Sequence, residues 1–327
     1  MTRRERCPYS QRNYCNPVWL GVKFVASKAR VFHTHRLKEE RMLPYALLLP
    51  SFLFLAVFLL YPMGRALFNS FLNYQRTKPK QYGWIGLENY VRIFTGDSKF
   101  VTALGISLKW VAIEVGLQVV IGLTAALLLN CKFRGQGFSR TICFAPWAIS
   151  GVLTGILWLL IYDDNFGLLN NLLSSWGLAT RSWLGDRNIA FGSVVIAELW
   201  RGIPFLAITC LAALQSISED IYEAAKVDGA GRFVTLFRIT LPFIRESVVY
   251  AALMRCIWAF QSVDLIMTMT NGGPLGRTTT LALYIYNKSI VEGNYGYGSA
   301  LAILSFLMLS VFTIIYLRAN AFGKEDA

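Results

Sequence analysis

Six apolar runs of about 20 residues each, near 43–62, 102–129, 141–161, 189–214, 246–269 and 298–317, constrain this chain more than any other feature. In hydrocarbon a segment must satisfy its own backbone N–H and C=O groups, so each run is read as a membrane-crossing helix. The expected fold is therefore an all-α polytopic membrane protein with six transmembrane helices. Composition agrees, since 55% of the 327 residues are hydrophobic and only 16% are charged. The formal net charge of +13 belongs to loops and tails rather than to a basic face. No aromatic-and-basic motif accompanies it, which argues against a nucleic-acid partner and for the use of lysine and arginine as topology signals.

Lysine and arginine are dense before the first span (Arg3, Arg4, Arg6, Arg12, Lys23, Lys28, Arg30, Arg36, Lys38, Arg41) and recur after the second and fourth (Lys132, Arg134, Arg140, Lys226, Arg232, Arg238). Both termini are accordingly expected in the cytoplasm, in a multi-pass protein of the cytoplasmic membrane. The division expected is a basic N-terminal segment over 1–42, a six-helix transmembrane domain over 43–320 and a cytoplasmic tail over 321–327. Within the first segment, residues 18–32 suit either a disordered basic tail or an amphipathic helix on the inner membrane surface. Cys7, Cys15, His33 and His35 fit no zinc spacing, and Cys131, Cys143, Cys210 and Cys256 lie in spans or a short loop where no extracellular staple is needed.

The most informative stretch lies between the fourth and fifth runs, over 218–242. Ser218 is placed to cap a short helix, with Glu219 and Asp220 in its first turn where the helix dipole favours negative charge. Gly229 supplies the residue that leaves a helix in the left-handed region. Phe233, Leu236, Phe237 and Thr240 then recur at helical spacing until Pro242. Glu223 and Asp228, five apart, point in different directions and do not form a catalytic carboxylate pair.

Glu223-Ala224-Ala225-x-x-Asp228-Gly229-Ala230, followed by Phe237 and Leu241-Pro242 and preceded by Trp200, Pro204-Phe205 and Leu214-Gln215, resembles the EAA motif of permease subunits of type I ATP-binding-cassette importers. Tyr61-Pro62, Gly86-Leu87-Glu88-Asn89-Tyr90, Asn271-Gly272-Gly273-Pro274 and Tyr297-Gly298-Ser299-Ala300 resemble landmarks of the carbohydrate branch of that family. The resemblance implies that residues 219–228 form a coupling helix seated in a groove of the ATPase. It implies Glu223 paired with a basic groove residue, Gly229 at the turn, and Ala224, Ala225 and Ala230 at a tight contact. The implied partners are a second permease subunit, two ATPase subunits, an extracytoplasmic solute-binding protein, a carbohydrate substrate and membrane lipid. The chain lacks a Gly-x-x-x-x-Gly-Lys-Ser/Thr loop, so it is expected not to be an enzyme, with ATP and Mg held by the partner ATPase and no cofactor of its own.

Charges inside a bilayer are costly and usually face a bundle interior or a watery cavity, which singles out Glu114, Glu198, Arg201, Arg255 and Asp264. Glu198 and Arg201, three apart, suit a neutralising pair on one helix face, and Pro204 permits a kink. On an unbroken fifth span, Arg255, Ser262, Trp258, Gln261 and Asp264 form a polar stripe with an aromatic in its middle. A sugar needs hydrogen bonds for its hydroxyls and an apolar surface for its ring, so Trp258, Gln261, Ser262 and Asp264, with Trp200, are candidates for the substrate path. Packing against polar neighbours is the competing explanation of that stripe. Rival functions are an importer permease for glycerol-phosphate or amino acids, and an ion-coupled carrier in which Glu114 or Asp264 relays protons.

Overall fold

The computed structural model describes residues 36–321. The expectations for residues 1–35, including the helix over 18–32 and the cysteine and histidine set, and the tail beyond 321 lie outside the described residues. The chain divides into two units, residues 1–58 and 59–327. In the first, helix α1 runs Arg36–Leu55, so the expected boundary at residue 42 falls inside a helix.

The second unit begins with α2 (Tyr61–Asn69), a two-stranded antiparallel ribbon of β1 (Leu72–Asn73) and β2 (Gly83–Trp84), and α3 (Glu88–Gly96). The long helix α4 (Ser98–Asn130) follows, then α5 (Gln136–Phe144), α6 (Gly151–Ile161), α7 (Leu168–Ser175) and α8 (Ala190–Gln215). The chain continues through α9 (Glu219–Val227), α10 (Arg232–Val234), α11 (Leu241–Gln261), α12 (Asp264–Met269), α13 (Leu281–Tyr286) and α14 (Tyr295–Ala321).

Among the described residues, four helices are long and apolar enough to cross a membrane: Leu47–Asn69, Ser98–Asn130, Ala190–Gln215 and Tyr295–Asn320. The third expected span is not one straight helix. Its α5 part, continued by a 3-10 turn at Ala145–Ala148, meets α6 at 102°. Pro146 tightens the turn, and extended Ser150 restarts the helix by accepting a hydrogen bond from the Leu153 N–H at 3.3 Å. The fifth expected span is also broken, because Ser262 is extended (φ −67°, ψ 126°) and separates α11 from α12. At 21 residues α11 is long enough to cross, but Arg245, Glu246 and Arg255 keep it less apolar than the four. Tyr61-Pro62 does not close the first span, which continues to Asn69. Pro204 likewise sits inside an uninterrupted α8.

Pro242 does not end a helix either. A π turn over Thr235–Thr240 leads directly into α11, and this wider winding relieves the clash of a proline ring with the carbonyl four residues before it.

Helix α4 is the axis of the second unit, since its buried side chains reach all three hydrophobic clusters. Phe100 and Ala103 meet Tyr284, Tyr297 and Leu301 at one end. Trp110 and Val115 meet Val194, Leu265 and Ile266 in the middle. Ala126 and Leu129 meet Leu214, Ile217 and Ile244 at the other end. Polar side chains near the helix ends tie these elements together. Asn89 donates to the Ser70 and Leu72 carbonyls at 2.8 and 3.1 Å. The Tyr284 and Tyr297 hydroxyls both donate to Asp97, which also caps α4 by accepting from the Phe100 N–H at 3.1 Å.

Candidate functional site

Helix α9 ends as its sequence predicts. Gly229 takes φ +76°, its N–H bonds the Lys226 carbonyl at 3.1 Å, and the Ala230 N–H bonds the Ala225 carbonyl at 2.9 Å. These paired bonds close a Schellman turn, in which a side chain at Gly229 would be strained by its positive φ alone. Ser218 occupies the N-cap position, yet its hydroxyl makes no capping bond. Glu219 instead reaches Lys132 at 3.0 Å across solvent, which holds the Glu219 carboxyl below its usual range.

One face of this element is anchored and the other is open. Ile221 and Tyr222 pack on the cluster of Leu129, Leu214 and Ile244, and the Tyr222 hydroxyl lies 3.4 Å from the Thr240 Oγ1. Ala225 is buried within this chain, so its tight packing is internal rather than free for another surface. Glu223, Ala224, Asp228 and Gly229 are exposed and Ala230 is half-buried. Beside them Val227, Phe233 and Phe237 are 88%, 80% and 62% exposed, an apolar patch on a short helix pair.

The polar residues of the membrane domain separate into two groups. Arg255 is buried and points away from the stripe the sequence predicts for it. Its Nη2 donates to Glu114 Oε1 at 2.5 Å and to Glu198 Oε1 at 3.1 Å, and its Nε to Gln118 Oε1 at 2.7 Å. Arg201 grips both Glu198 oxygens at 3.0 and 2.7 Å, so the expected Glu198–Arg201 pair is one half of a larger network. Gln118 donates to Glu114 Oε1 at 3.1 Å. The sequence reading missed Gln118, although it lies four residues from Glu114 on the same helix face. It also missed the role of Gly202, where a Cβ would come within 2.1 Å of Gln118 Nε2 and 2.6 Å of Arg255 Nη2. Glycine there gives the network its room.

Trp258, Gln261 and Trp200 remain on an open face. Trp258 is 39% exposed and meets Phe205 edge-on at 4.8 Å, and Phe205 meets Trp147 at 6.2 Å. Trp200, 38% exposed, meets Trp158 at 6.3 Å. Among the described residues no ring pair joins Trp200 to Trp258, so the aromatics form two neighbouring patches on α8. The continuous stripe is corrected by the break at Ser262. Gln261 ends α11 and is exposed, the Ser262 hydroxyl is buried without a partner, and Asp264 begins α12 with its carboxylate against Gly151. Phe205 and Trp147 are additions: Phe205 reaches Trp258 from α8, and the bent third span brings Trp147 against Phe205.

A family model described as the binding-protein-dependent transport system inner membrane component matches residues 118–321. The chain is 35% identical over 293 residues to the trehalose/maltose transport system permease protein MalF of Thermococcus litoralis, covering 89% of this chain and 98% of that protein. It is 35% identical over 279 residues to the sulfoquinovosyl glycerol transport system permease protein SmoG of Agrobacterium fabrum, covering 85% and 90%. In fold it is similar to a chain of a bacterial ABC transporter involved in the import of the acidic polysaccharide alginate, with TM-score 0.78 and 24% identity over 88% of this chain and 99% of that one. A further structure, of a bacterial alginate ABC transporter in complex with alginate pentasaccharide-bound periplasmic protein, gives a TM-score of 0.76 at 24% identity over 86% of this chain and 94% of that one. The landmark motifs, the helical architecture and these matches converge, and the chain belongs to the family of binding-protein-dependent transport system inner membrane components.

Proposed function

We propose that this permease carries a sugar or oligosaccharide inward across the cytoplasmic membrane by alternating access, driven by ATP hydrolysed on separate subunits. The observation that carries the reading is the element over 219–240, whose motif residues sit on an anchored helix while Val227, Phe233 and Phe237 stand exposed. An apolar patch on a water-facing helix pair marks a docking surface, and an ATPase groove is the occupant that the motif fits. The carbohydrate cargo is supported by relatives named for trehalose/maltose and sulfoquinovosyl glycerol, and by the aromatic and amide surface at Trp200, Trp258 and Gln261. The remaining partners are a second permease, two ATPase subunits holding ATP and Mg, and an extracytoplasmic binding protein. An ion-coupled carrier fits less well, since Glu114 is committed to Arg255.

The geometry supplies a transmission path. Motion of α9 reaches α11 through the Tyr222–Thr240 contact and the shared cluster around Ile244. Helix α11 is about 30 Å long at 1.5 Å per residue, and Trp258 and Gln261 lie at its far end. Pushing its near end thus moves the candidate path residues.

The reading is tested by reconstituting the permease with its partners and measuring ATP-dependent uptake of labelled disaccharides. Uptake driven by an ion gradient without ATP would overturn it. In the same assay, Trp258→Ala is expected to lower uptake per assembled complex by about three- to tenfold through loss of a ring-stacking surface. Gln261→Ala should act in the same direction, and a loss that merely tracks assembly would refute the path assignment. The orientation has its own test in a background without native cysteines: a label on Lys226→Cys is expected to react from the cytoplasm and one on Arg277→Cys from outside. Reaction of both from one side would require a different span count.

A further inference from the structure

A cavity of about 460 Å³ opens between α4 and the loops preceding α8 and α13, lined by Lys109, Arg187 and Arg277 together with Thr102, Asn188 and Phe191. None of its lining residues is acidic. Lys109 lies over the Phe191 ring at 4.6 Å, and none of the three cations forms an ion pair among the described residues. A second cavity of about 430 Å³ shares Thr102, Ile106, Leu275 and Gly276 with the first and adds Lys99 and Lys288. There Lys288 is neutralised by Glu292 at 2.7 Å, and Lys99 is a further cation without an ion pair among the described residues.

Like charges that converge without a counter-charge repel one another and raise the local concentration of anions. Lys109 is the twelfth residue of α4, about 16 Å along the helix from Ser98, yet it is exposed. An exposed charge within an apolar membrane-crossing helix belongs beside a watery passage rather than lipid. The site is concave and small, which suits one group of a solute better than the face of a protein. Its Asn188 amide and Thr102 hydroxyl suit sugar hydroxyls, and Phe191 offers an apolar surface.

We propose that this cavity binds the carboxylate or sulfonate of an acidic saccharide and selects anionic cargo at the extracytoplasmic entrance. The selection step rests on the importer reading above, whereas binding to the cavity does not.

The test uses the complete transporter with its binding protein, in phosphatidylcholine vesicles, with a labelled galacturonate disaccharide and its neutral galactose counterpart as probes. Import of the galacturonate disaccharide is expected to be favoured. Lys109→Gln and Arg277→Gln should each raise its half-saturating concentration about tenfold, the worth of one charge-assisted hydrogen bond, and leave the neutral sugar nearly unchanged. Equal effects on both sugars, or preference for the neutral one, would overturn the proposal. So would variant effects seen only with phosphatidylglycerol in the vesicles, which would assign the site to a lipid phosphate, or a loss confined to binding-protein association. Equilibrium binding of the galacturonate disaccharide to the permease complex in nanodiscs is measured alongside. Binding that the variants weaken, without ATP-driven import, sustains the cavity and counts against the importer reading; absence of binding in the unaltered complex removes the cavity.

Discussion

Arg255→Leu is expected to destabilise the membrane domain by about 3–5 kcal/mol, the usual cost of leaving a buried charge without its partner. The side chain is 4% exposed and faces Glu114 and Glu198, which are 0% and 1% exposed. Arg201 still neutralises Glu198 in the variant, but Glu114 keeps only the Gln118 amide. The measurement is thermal unfolding of the purified permease, together with the amount recovered from membranes. Because the penalty comes from the uncompensated carboxylate, Glu114→Met/Arg255→Met should recover much of the loss. Apolar replacements of similar volume often match a buried ion pair in stability. A double variant as unstable as Arg255→Leu would show that shape rather than charge holds α4, α8 and α11 together here.

That network marks where sequence reading succeeds and where it stops. A charge in an apolar run is visible at once, and Glu198 with Arg201 is legible because three residues along a helix return to the same face. That Arg255 turns inward to Glu114, 141 positions away, depends on how α11 packs on α4, and no local period encodes it. The two broken spans were hidden for a related reason. Hydropathy averages over a window, so the 102° bend between α5 and α6 and the extended Ser262 leave the apolar signal continuous while redirecting every side chain beyond them. The candidate stripe lost its continuity at Ser262, yet Trp258 and Gln261 stayed on an open face because both precede the break. The α9 turn was readable in full, since Gly229 and the residues around it build their geometry from bonds within a few positions. Tertiary placement alone could reveal that Ala225 faces its own chain.

Glu223→Ala and Val227→Asp are expected to weaken ATPase docking and coupling about tenfold or more without weakening the permease. Both residues are exposed on α9, Val227 by 88%, and neither contributes to the cluster that anchors the helix through Ile221 and Tyr222. Truncating Glu223 removes a charged acceptor from the presented face, and Val227→Asp places a new charge in the apolar patch beside Phe233. Without Glu223 the partner's basic group is desolvated with no counter-charge, and the carboxylate of Val227→Asp must itself be desolvated, while the free permease keeps both positions in water. Loss of one charge-assisted contact corresponds to about tenfold or more in affinity, so the ATPase should copurify less and uptake should fall at least in proportion. Thermal unfolding of the isolated permease should not shift. Ala225→Asp provides the contrast: this side chain is buried at the base of the same helix, and a carboxylate there should destabilise the permease itself before docking is tested. Normal copurification and normal uptake in both surface variants would mean that α9 is not the docking element, and the exposed residues of the following helix, Phe233 and Phe237, would then have to carry the contact alone.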